Sequence, residues 1–356
     1  MGKLILRIAI IVMSFILTFG FLQYRGVRKE VLYNREQGPK SLGSIVEKTG
    51  VESSSGVIKS GLRENFYWTH DDSVDYGQTP KTYIVGFKFD EMGIGGVQKV
   101  TLEGIMNVDW EDIDCDNDGN LIVGDIGDNI VRRDFTLYRF KEPKKGQEIV
   151  KDQDIEKIVF RFPGGEEYNN EALFYADNSF YILTKEYGKT KMYRLPEDKI
   201  DTRRVNIADY IGEFEFLGDS KLANFMDATT GADISEDEMS MVFNTYKGIY
   251  LFKRSEKNTN FFDGKVYYYP LKWDFRKYQY EAITFIDGDK KLLLTSEQGE
   301  IYTVDVDKFE LLRESQPTEK FVEEKVEVGG DRQGIIYKVK HVVYLFQVMV
   351  MDIIFR

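Results

Sequence analysis

A short motif that recurs six times constrains the fold of this chain more than any other feature of its sequence. Each copy has an acidic or polar residue, then a small residue, then usually Leu or Ile, and it leads into an apolar run. The third positions are separated by 51, 60, 56, 54 and 52 residues, the length of a four-stranded β-propeller blade with short loops. The sequence therefore predicts an all-β, six-bladed β-propeller. The copies are Ser60-Gly61-Leu62, Glu111-Asp112-Ile113, Glu171-Ala172-Leu173, Asp227-Ala228-Thr229, Glu281-Ala282-Ile283 and Gln333-Gly334-Ile335.

The composition agrees with a soluble repeat fold and excludes several classes of ligand. The chain has 356 residues, with 22 Tyr and 25 Phe that suit the packing between twisted sheets. Its net charge of -12 argues against nucleic acid as a partner and favours a cation. The single cysteine, Cys115, excludes both an internal disulfide and a thiolate metal cluster.

The N-terminus predicts export. Lys3 and Arg7 precede an uncharged apolar run over residues 8–22, which is the layout of a signal peptide or of a retained signal-anchor helix. We therefore divide the chain into a leader helix at 1–24, a polar linker at 25–57 that can supply a closing strand, and the propeller at 58–356. The predicted location is the cell envelope or the extracellular space, with membrane attachment through the N-terminal segment if it is not cleaved. The apolar residues 342–355 are predicted to be strands of the last blade.

Carboxylates of the motif are expected to meet at one mouth of the central channel. If the motif opens the innermost strand of each blade, four of them converge there: Glu111, Glu171, Asp227 and Glu281. Asp125 should face Glu111 at the same rim, with Lys185 and Arg132 as nearby cations. Such a group favours Ca²⁺, because its ligands are hard oxygens and the chain is poor in His and Cys. The alternative is that these carboxylates cap strands around the channel without any metal.

Two sequence blocks carry a resemblance to known proteins. The segment from Asn107 to Pro143 contains the blocks DWED and GDIGDN, and it resembles an uncharacterised family of exported bacterial six-bladed β-propeller proteins. More distantly, the arrangement is similar to the calcium-dependent paraoxonase and gluconolactonase propellers. That resemblance implies a central Ca²⁺ held by a Glu near the start of an inner strand and by Asn or Asp residues of other blades. The motif carboxylates match this placement by their position in the repeat.

Two functions remain open from the sequence. In the first, the propeller is a binding module for a small molecule or an envelope component, and nucleic acid is excluded. Its expected ligand-binding residues are Trp68, Asp71, Trp110, Arg132 and Lys185. In the second, it is a metal-dependent hydrolase of an ester, lactone or phosphoester, with His70 as the general base. A hydrogen-bonded, purely structural His70 is the alternative to that role, and a purely structural propeller is a third possibility.

Overall fold

Short antiparallel strands arranged around one axis make up the described part of the chain. The computed structural model describes residues 38–72, 81–128, 132–216, 227–272 and 279–315. These residues form five sheets of four or five strands each. The fold is an all-β propeller, as the repeat predicted.

Blades 1 to 4 are four-stranded meanders, three of which gain a further short edge strand, and blade 5 is a three-stranded meander completed by a strand from the beginning of the described residues. Blade 1 contains β2 (Ser54–Lys59), β3 (Phe66–Asp71), β4 (Tyr83–Asp90) and β5 (Gly93–Leu102). Blade 2 contains β6 (Trp110–Cys115), β7 (Asn120–Asp125), β8 (Phe135–Lys141) and β10 (Glu156–Arg161), and blade 3 contains β11 (Asn170–Ala176), β12 (Ser179–Thr184), β13 (Lys189–Pro196) and β15 (Asp209–Glu215). Blade 4 contains β16 (Thr229–Ile234), β17 (Ser240–Thr245), β18 (Gly248–Lys253) and β19 (Lys265–Pro270), and blade 5 contains β20 (Tyr280–Ile286), β21 (Lys291–Ser296), β22 (Glu300–Asp305) and β1 (Gly43–Ser44). The added edge strands are β9 (Ile149–Val150) on β5, β14 (Asn206–Ile207) on β10 and β23 (Glu310–Arg313) on β19.

Helices in the described residues are short. One α-helical turn, α1 (Val46–Thr49), follows β1. The 3₁₀ turns are Asp152–Asp154, Pro163–Gly165, Glu197–Lys199, Phe261–Asp263 and Val306–Lys308. No helix in the described part of the chain is long and apolar enough to cross a membrane. The predicted leader at 1–24 lies outside the described residues.

The ring of blades closes on itself with five sheets. The innermost strands contact one another in the cycle β2, β6, β11, β16, β20 and back to β2. At the closure, Val57 and Tyr67 of blade 1 share a buried apolar cluster with Leu293 and Ile301 of blade 5. The N-terminal strand β1 pairs antiparallel with β22, with Gly43 opposite Ile301, and so supplies the fourth strand of blade 5. This pairing covers an edge of the sheet that would otherwise expose its backbone groups.

The structure shows five blades where the repeat predicted six. Ser60-Gly61-Leu62 is not the start of an inner strand, because β2 ends at Lys59 and Ser60 lies in the turn that follows it. The innermost strand of blade 1 therefore begins inside the segment predicted as linker. The sixth copy of the motif, at 333–335, and the predicted strands at 342–355 lie outside the described residues.

The hydrophobic core is divided into clusters that each lie between two neighbouring blades. Trp68 of blade 1 and Trp110 of blade 2 are fully buried in one of them. Phe174 and Tyr181 of blade 3 stack at 4.8 Å in another, which they share with Phe243 of blade 4. Aromatic rings fill these interfaces because twisted sheets that pack face to face leave wide gaps between them. The interblade packing fixes the inner strands, and these strands position the channel mouth.

Candidate functional site

A β-bulge occurs at the same place in the inner strand of every blade. In each blade the pairing with the second strand skips one residue, so that this residue is left outside the ladder. We call these residues the bulge ring. Its members, from blade 1 to blade 5, are Ser55, Glu111, Glu171, Thr230 and Glu281.

A second ring lies beside the first. In each blade, one residue comes directly after the last paired residue of the second strand. We call these five residues the outer ring. Its members, from blade 1 to blade 5, are Asp72, Ile126, Lys185, Tyr246 and Glu297. In an antiparallel hairpin these residues lie at the same end as the bulge ring. Together the two rings place five carboxylates and a single lysine at one mouth of the channel.

Three carboxylates converge at the blade 1 and blade 2 side of the mouth. Oxygen atoms of Asp72, Asp109 and Glu111 all lie within 4.8 Å of one another, and we call these residues the carboxylate cluster. Gly127 makes room for it, because a Cβ on that residue would lie 2.0 Å from Glu111 Oε1 and 2.3 Å from Asp109 Oδ2. Ser55 Oγ donates a hydrogen bond to Glu111 Oε2 at 3.3 Å. The packing thus holds three acidic groups together at a distance suited to a single cation.

The electrostatics of the mouth reflect this crowding. Burial, followed by the charges of Glu171, Asp72 and Asp109, raises the pKa of Glu111 well above its usual value. Burial also raises the pKa of Glu281 well above its usual value, although Lys185 opposes the shift. Glu281 is 4% exposed and its Oε1 has no hydrogen-bond partner among the described residues. Crowding and burial therefore favour the neutral form of Glu111 and Glu281 when no cation is present.

Lys185 follows β12 in blade 3, the neighbour of blade 2, and its charge acts on Glu111 of the carboxylate cluster. Its Nζ forms an ion pair of 2.8 Å with Glu171 Oε1, and Asn169 Nδ2 donates to the same oxygen at 2.8 Å. The ammonium also lies 5.5 Å from the centre of the Tyr246 ring. Burial opposes its charge, but Glu171, Tyr246, Glu281 and Glu111 outweigh burial, so the pKa of Lys185 is well above its usual value. Lys185 is therefore charged and paired with Glu171.

Deeper in the channel, aspartates connect the blades. Asp114 and Asp233 occupy the third position after the bulge in blades 2 and 4, and each accepts the backbone N–H of the next blade's inner strand, from Tyr175 and Phe285 respectively. Asp112 Oδ2 accepts from Leu173 N at 2.9 Å and also from Ala232 N of blade 4 at 3.3 Å. Below the mouth, carboxylates therefore serve as repeated structural links between inner strands.

Two of the predicted metal ligands belong elsewhere. Asp125 forms an ion pair of 2.8 Å with Arg132 and accepts the backbone N–H of Asp109 at 3.0 Å, and it is not part of the carboxylate cluster. Asp227 is not a bulge residue, because the bulge of blade 4 falls on Thr230. Asp227 instead accepts the N–H of Gly188 through its backbone carbonyl at 2.9 Å. The triplet Asp227-Ala228-Thr229 resembled the motif but lies three residues too early.

His70 is removed from the mouth. It is fully buried, pairs with Gly56 one ladder position below the bulge and meets Trp110 edge to face at 5.7 Å. Its Nδ1 lies 3.0 Å from the carbonyl oxygen of Asp71, and burial lowers the pKa of the ring. The His70 ring therefore packs blade 1 on blade 2, and its Nε2 has no hydrogen-bond partner among the described residues.

Three predicted ligand-binding side chains are also structural. Trp68 donates its Nε1–H to Glu142 at 2.9 Å, and Trp110 donates to the Met106 carbonyl at 3.1 Å. Asp71 accepts the N–H of Glu52 at 2.7 Å and forms an ion pair of 3.1 Å with Lys81. Of the other predicted ligand-binding residues, Lys185 lies in the outer ring, and Arg132 donates its Nε–H to the carbonyl of Gly127 at 2.8 Å, beside the carboxylate cluster.

Sequence reasoning missed several members of the mouth. Asp109 lies two residues before the bulge residue of blade 2, and the equivalent positions are Asn169 in blade 3 and Gln279 in blade 5. An alignment of the blades on their bulge residues would therefore have identified Asp109. Asp72 follows the end of β3 in the same way that Lys185 follows β12. The triplet search missed both because Asp109 precedes the triplet and Asp72 follows the end of the second strand.

Comparison with models of protein families and with curated proteins finds no match. Solved structures with a similar fold include a gluconolactonase from Xanthomonas campestris, at 11% identity and a TM-score of 0.35, over 66% of this chain and 71% of that one. A proposed 6-phosphogluconolactonase from Bacteroides uniformis gives 12% identity and a TM-score of 0.36 over 74% and 71% of the two chains. The Cps50 (Swd1) β-propeller domain of Myceliophteria thermophila gives 10% identity and a TM-score of 0.37 over 75% and 74%. At these identities the likeness concerns the fold alone.

Proposed function

We propose that this protein is a binding propeller whose channel mouth holds a divalent cation, with Ca²⁺ as the preferred ion. The observation that carries the proposal is the convergence of Asp72, Asp109 and Glu111 within 4.8 Å at the end of the channel. Like charges this close repel one another, and a bound cation removes the repulsion.

The chemistry of the donors supports this choice of ion. The cluster offers carboxylate oxygens, which are hard ligands suited to Ca²⁺, and it contains neither sulfur nor imidazole. Gly127 leaves space where any side chain would collide with Glu111 and Asp109. The residues present therefore fit a calcium ion.

The role of the ion follows from the number of its ligands. Calcium takes six to eight oxygen ligands, and the three carboxylates of the cluster leave positions for water or for oxygen atoms of a ligand. We propose that a small molecule or an envelope component with oxygen donors binds at this mouth. The leader predicted from the sequence supports a location in the cell envelope or the extracellular space for this binding.

A metal-dependent hydrolase is the second candidate. His70 does not serve it, because this residue is buried between blades 1 and 2. The observation that favours the candidate is Glu281, a buried carboxyl with a raised pKa whose Oε1 has no hydrogen-bond partner among the described residues, since a carboxyl of this kind can serve as a general acid or base. The substrate would be an ester, a lactone or a phosphoester, whose oxygen a bound cation would polarise.

The binding proposal is tested by the thermal stability of the purified protein after chelation and after calcium is returned. We expect Ca²⁺ to raise the melting temperature of the wild type and to have little effect on Glu111→Gln. Glu91→Gln, which changes an exposed turn residue, should respond as the wild type does. A melting temperature that is the same with chelator and with millimolar Ca²⁺ would refute the proposal. Release of acid from lactones and phosphoesters by the calcium-loaded protein would favour the hydrolase.

A further inference from the structure

An ion pair of blade 2 is bonded to the backbone that carries the carboxylate cluster. Arg132 Nη1 lies 2.8 Å from Asp125 Oδ1, and the two side chains are 15% and 2% exposed. The same oxygen of Asp125 accepts the backbone N–H of Asp109 at 3.0 Å. Arg132 also donates its Nε–H to the backbone carbonyl of Gly127 at 2.8 Å. The pair thus holds the backbone of a cluster member, Asp109, and that of the glycine that makes room for the cluster.

These two backbone positions are also bonded to each other. The carbonyl oxygen of Asp109 accepts the N–H of Gly127 at 3.1 Å and that of Ile126 at 3.2 Å. The bonds therefore close a ring that runs from Asp109 through the ion pair to Gly127 and back. Asp109 is held in this ring through both its N–H and its carbonyl, so its backbone cannot shift unless the ring breaks.

We propose that Arg132 and Asp125 are positioning residues of the cation site, which hold Asp109 and Gly127 in the arrangement that binds the ion. The inference rests on the proposed function of the carboxylate cluster. It gives Asp125, which the sequence predicted as a metal ligand, a different role in the same site. Asp125 acts through its hydrogen bond to the backbone of Asp109, and Arg132 acts through its bonds to Asp125 and Gly127.

The close packing of the site explains why its backbone must be held. Glu111 Oε1 and Asp109 Oδ2 lie so near Gly127 that a Cβ there would be 2.0 Å from the first and 2.3 Å from the second. Any shift of the Gly127 backbone therefore displaces these oxygens or leaves a gap behind them. Groups that orient metal ligands in this way typically contribute about 10- to 100-fold to metal affinity.

The sign of the effect separates positioning from electrostatics. A guanidinium near a bound cation repels it, so if Arg132 acted through its charge alone, its removal would tighten calcium binding. If Arg132 positions the site, its removal weakens calcium binding, because Asp109 and Gly127 are then free to move. Lysine keeps the charge of arginine but lacks the planar fork that reaches two acceptors at once. Arg132→Gln and Arg132→Lys therefore distinguish the two roles.

The experiment is calcium titration by calorimetry of the wild type, Arg132→Gln and Arg132→Lys. We expect both variants to bind calcium about 10- to 100-fold more weakly than the wild type. Tighter binding by Arg132→Gln, or unchanged affinity in both variants, would overturn the inference.

Arg254→Gln is the matched control for a loss of stability. Arg254 is also a buried arginine paired with an aspartate, at 2.7 Å from Asp177, and this aspartate lies in the turn after β11, at the end of that strand away from the bulge. Arg254→Gln should lower the melting temperature and leave calcium affinity unchanged. An equal loss of affinity in this control would assign the effect to destabilisation and would overturn the inference.

Hydrogen exchange in the presence of chelator tests the same role without a metal. In the wild type the N–H groups of Asp109, Ile126 and Gly127 are bonded within the ring, so they should exchange slowly. Arg132→Gln should speed the exchange of these amides and leave that of Leu173 in blade 3 unchanged. Unchanged exchange at Asp109 and Gly127 would refute the positioning role. Absence of calcium binding to the wild type would refute the proposed function, while hydrogen exchange would still decide whether Arg132 holds this backbone.

Discussion

Replacement of Gly127 by Ala should abolish cation binding while the propeller stays folded. The added methyl carbon would lie 2.0 Å from Glu111 Oε1 and 2.3 Å from Asp109 Oδ2. Non-bonded atoms prefer separations of about 3.5 Å, so both carboxylates must move by roughly 1 Å. Ligand distances in metal sites tolerate only about 0.2 Å. The backbone itself accepts alanine, because Gly127 is absent from the positions with positive φ.

The size of the effect follows from linkage between binding and folding. An ion present at about 100 times its Kd stabilises the folded state by about 2.7 kcal/mol. For a domain of this size that corresponds to roughly 5 °C in melting temperature, at about 2 °C per kcal/mol. We therefore expect Ca²⁺ to raise the melting temperature of the wild type by about 5 °C and that of Gly127→Ala by less than about 1 °C.

The assay is differential scanning calorimetry with chelator and with excess calcium. Gly95→Ala is the matched control, since an added Cβ there meets no atom within 4 Å and the residue has no positive φ. It should respond to calcium as the wild type does. If Gly127→Ala keeps the full calcium response, the carboxylate cluster is not the binding site and the reasoning fails.

Two further predictions concern buried groups outside the mouth. Burial raises the pKa of Asp233 to about 7, well above the usual range of an aspartate, so its contribution to stability should be present below about pH 4 and be lost as the pH rises through 7. Denaturant unfolding from pH 5 to pH 8 should show this as a fall of about 2.7 kcal/mol that Asp233→Asn flattens, and a wild type whose stability rises over that range would contradict it. His70→Ala should lower the melting temperature, because it leaves a cavity in the buried space beside Trp110. The same variant should bind calcium with unchanged affinity. A large loss of calcium affinity would show that His70 takes part in the site.

Much of the channel mouth could be predicted from sequence, because its residues repeat. Glu111, Glu171 and Glu281 were identified from the triplet alone, and the structure places all three in the bulge ring. The ion pair between Lys185 and Glu171 follows from the rule that the two ends of a hairpin meet. These inferences succeeded because they need only local strand pairing.

The wrong assignments of bulge residues have one physical origin. A bulge shifts the strand register, and no particular residue type in the sequence identifies its position. Asp227 looks like a motif acid, but the bulge of blade 4 falls on Thr230. In blade 1 it falls on Ser55, five residues before the chosen Ser60. A one-residue change of register turns a side chain from one face of a strand to the other. Pattern matching alone could not see which residue each ladder skips.

The sequence by itself determined that this chain is built from β repeats, because alternating strands, turn residues and aromatic content act over a few residues at a time. Only the tertiary structure decided how many blades close the ring and which carboxylates meet. Closure depends on contacts between distant segments, such as Gly43 opposite Ile301 and Val57 packed with Leu293. The convergence of Asp72, Asp109 and Glu111 likewise needs blades 1 and 2 to pack at one angle. That angle is set by the buried aromatic residues between the sheets, whose packing no local pattern specifies.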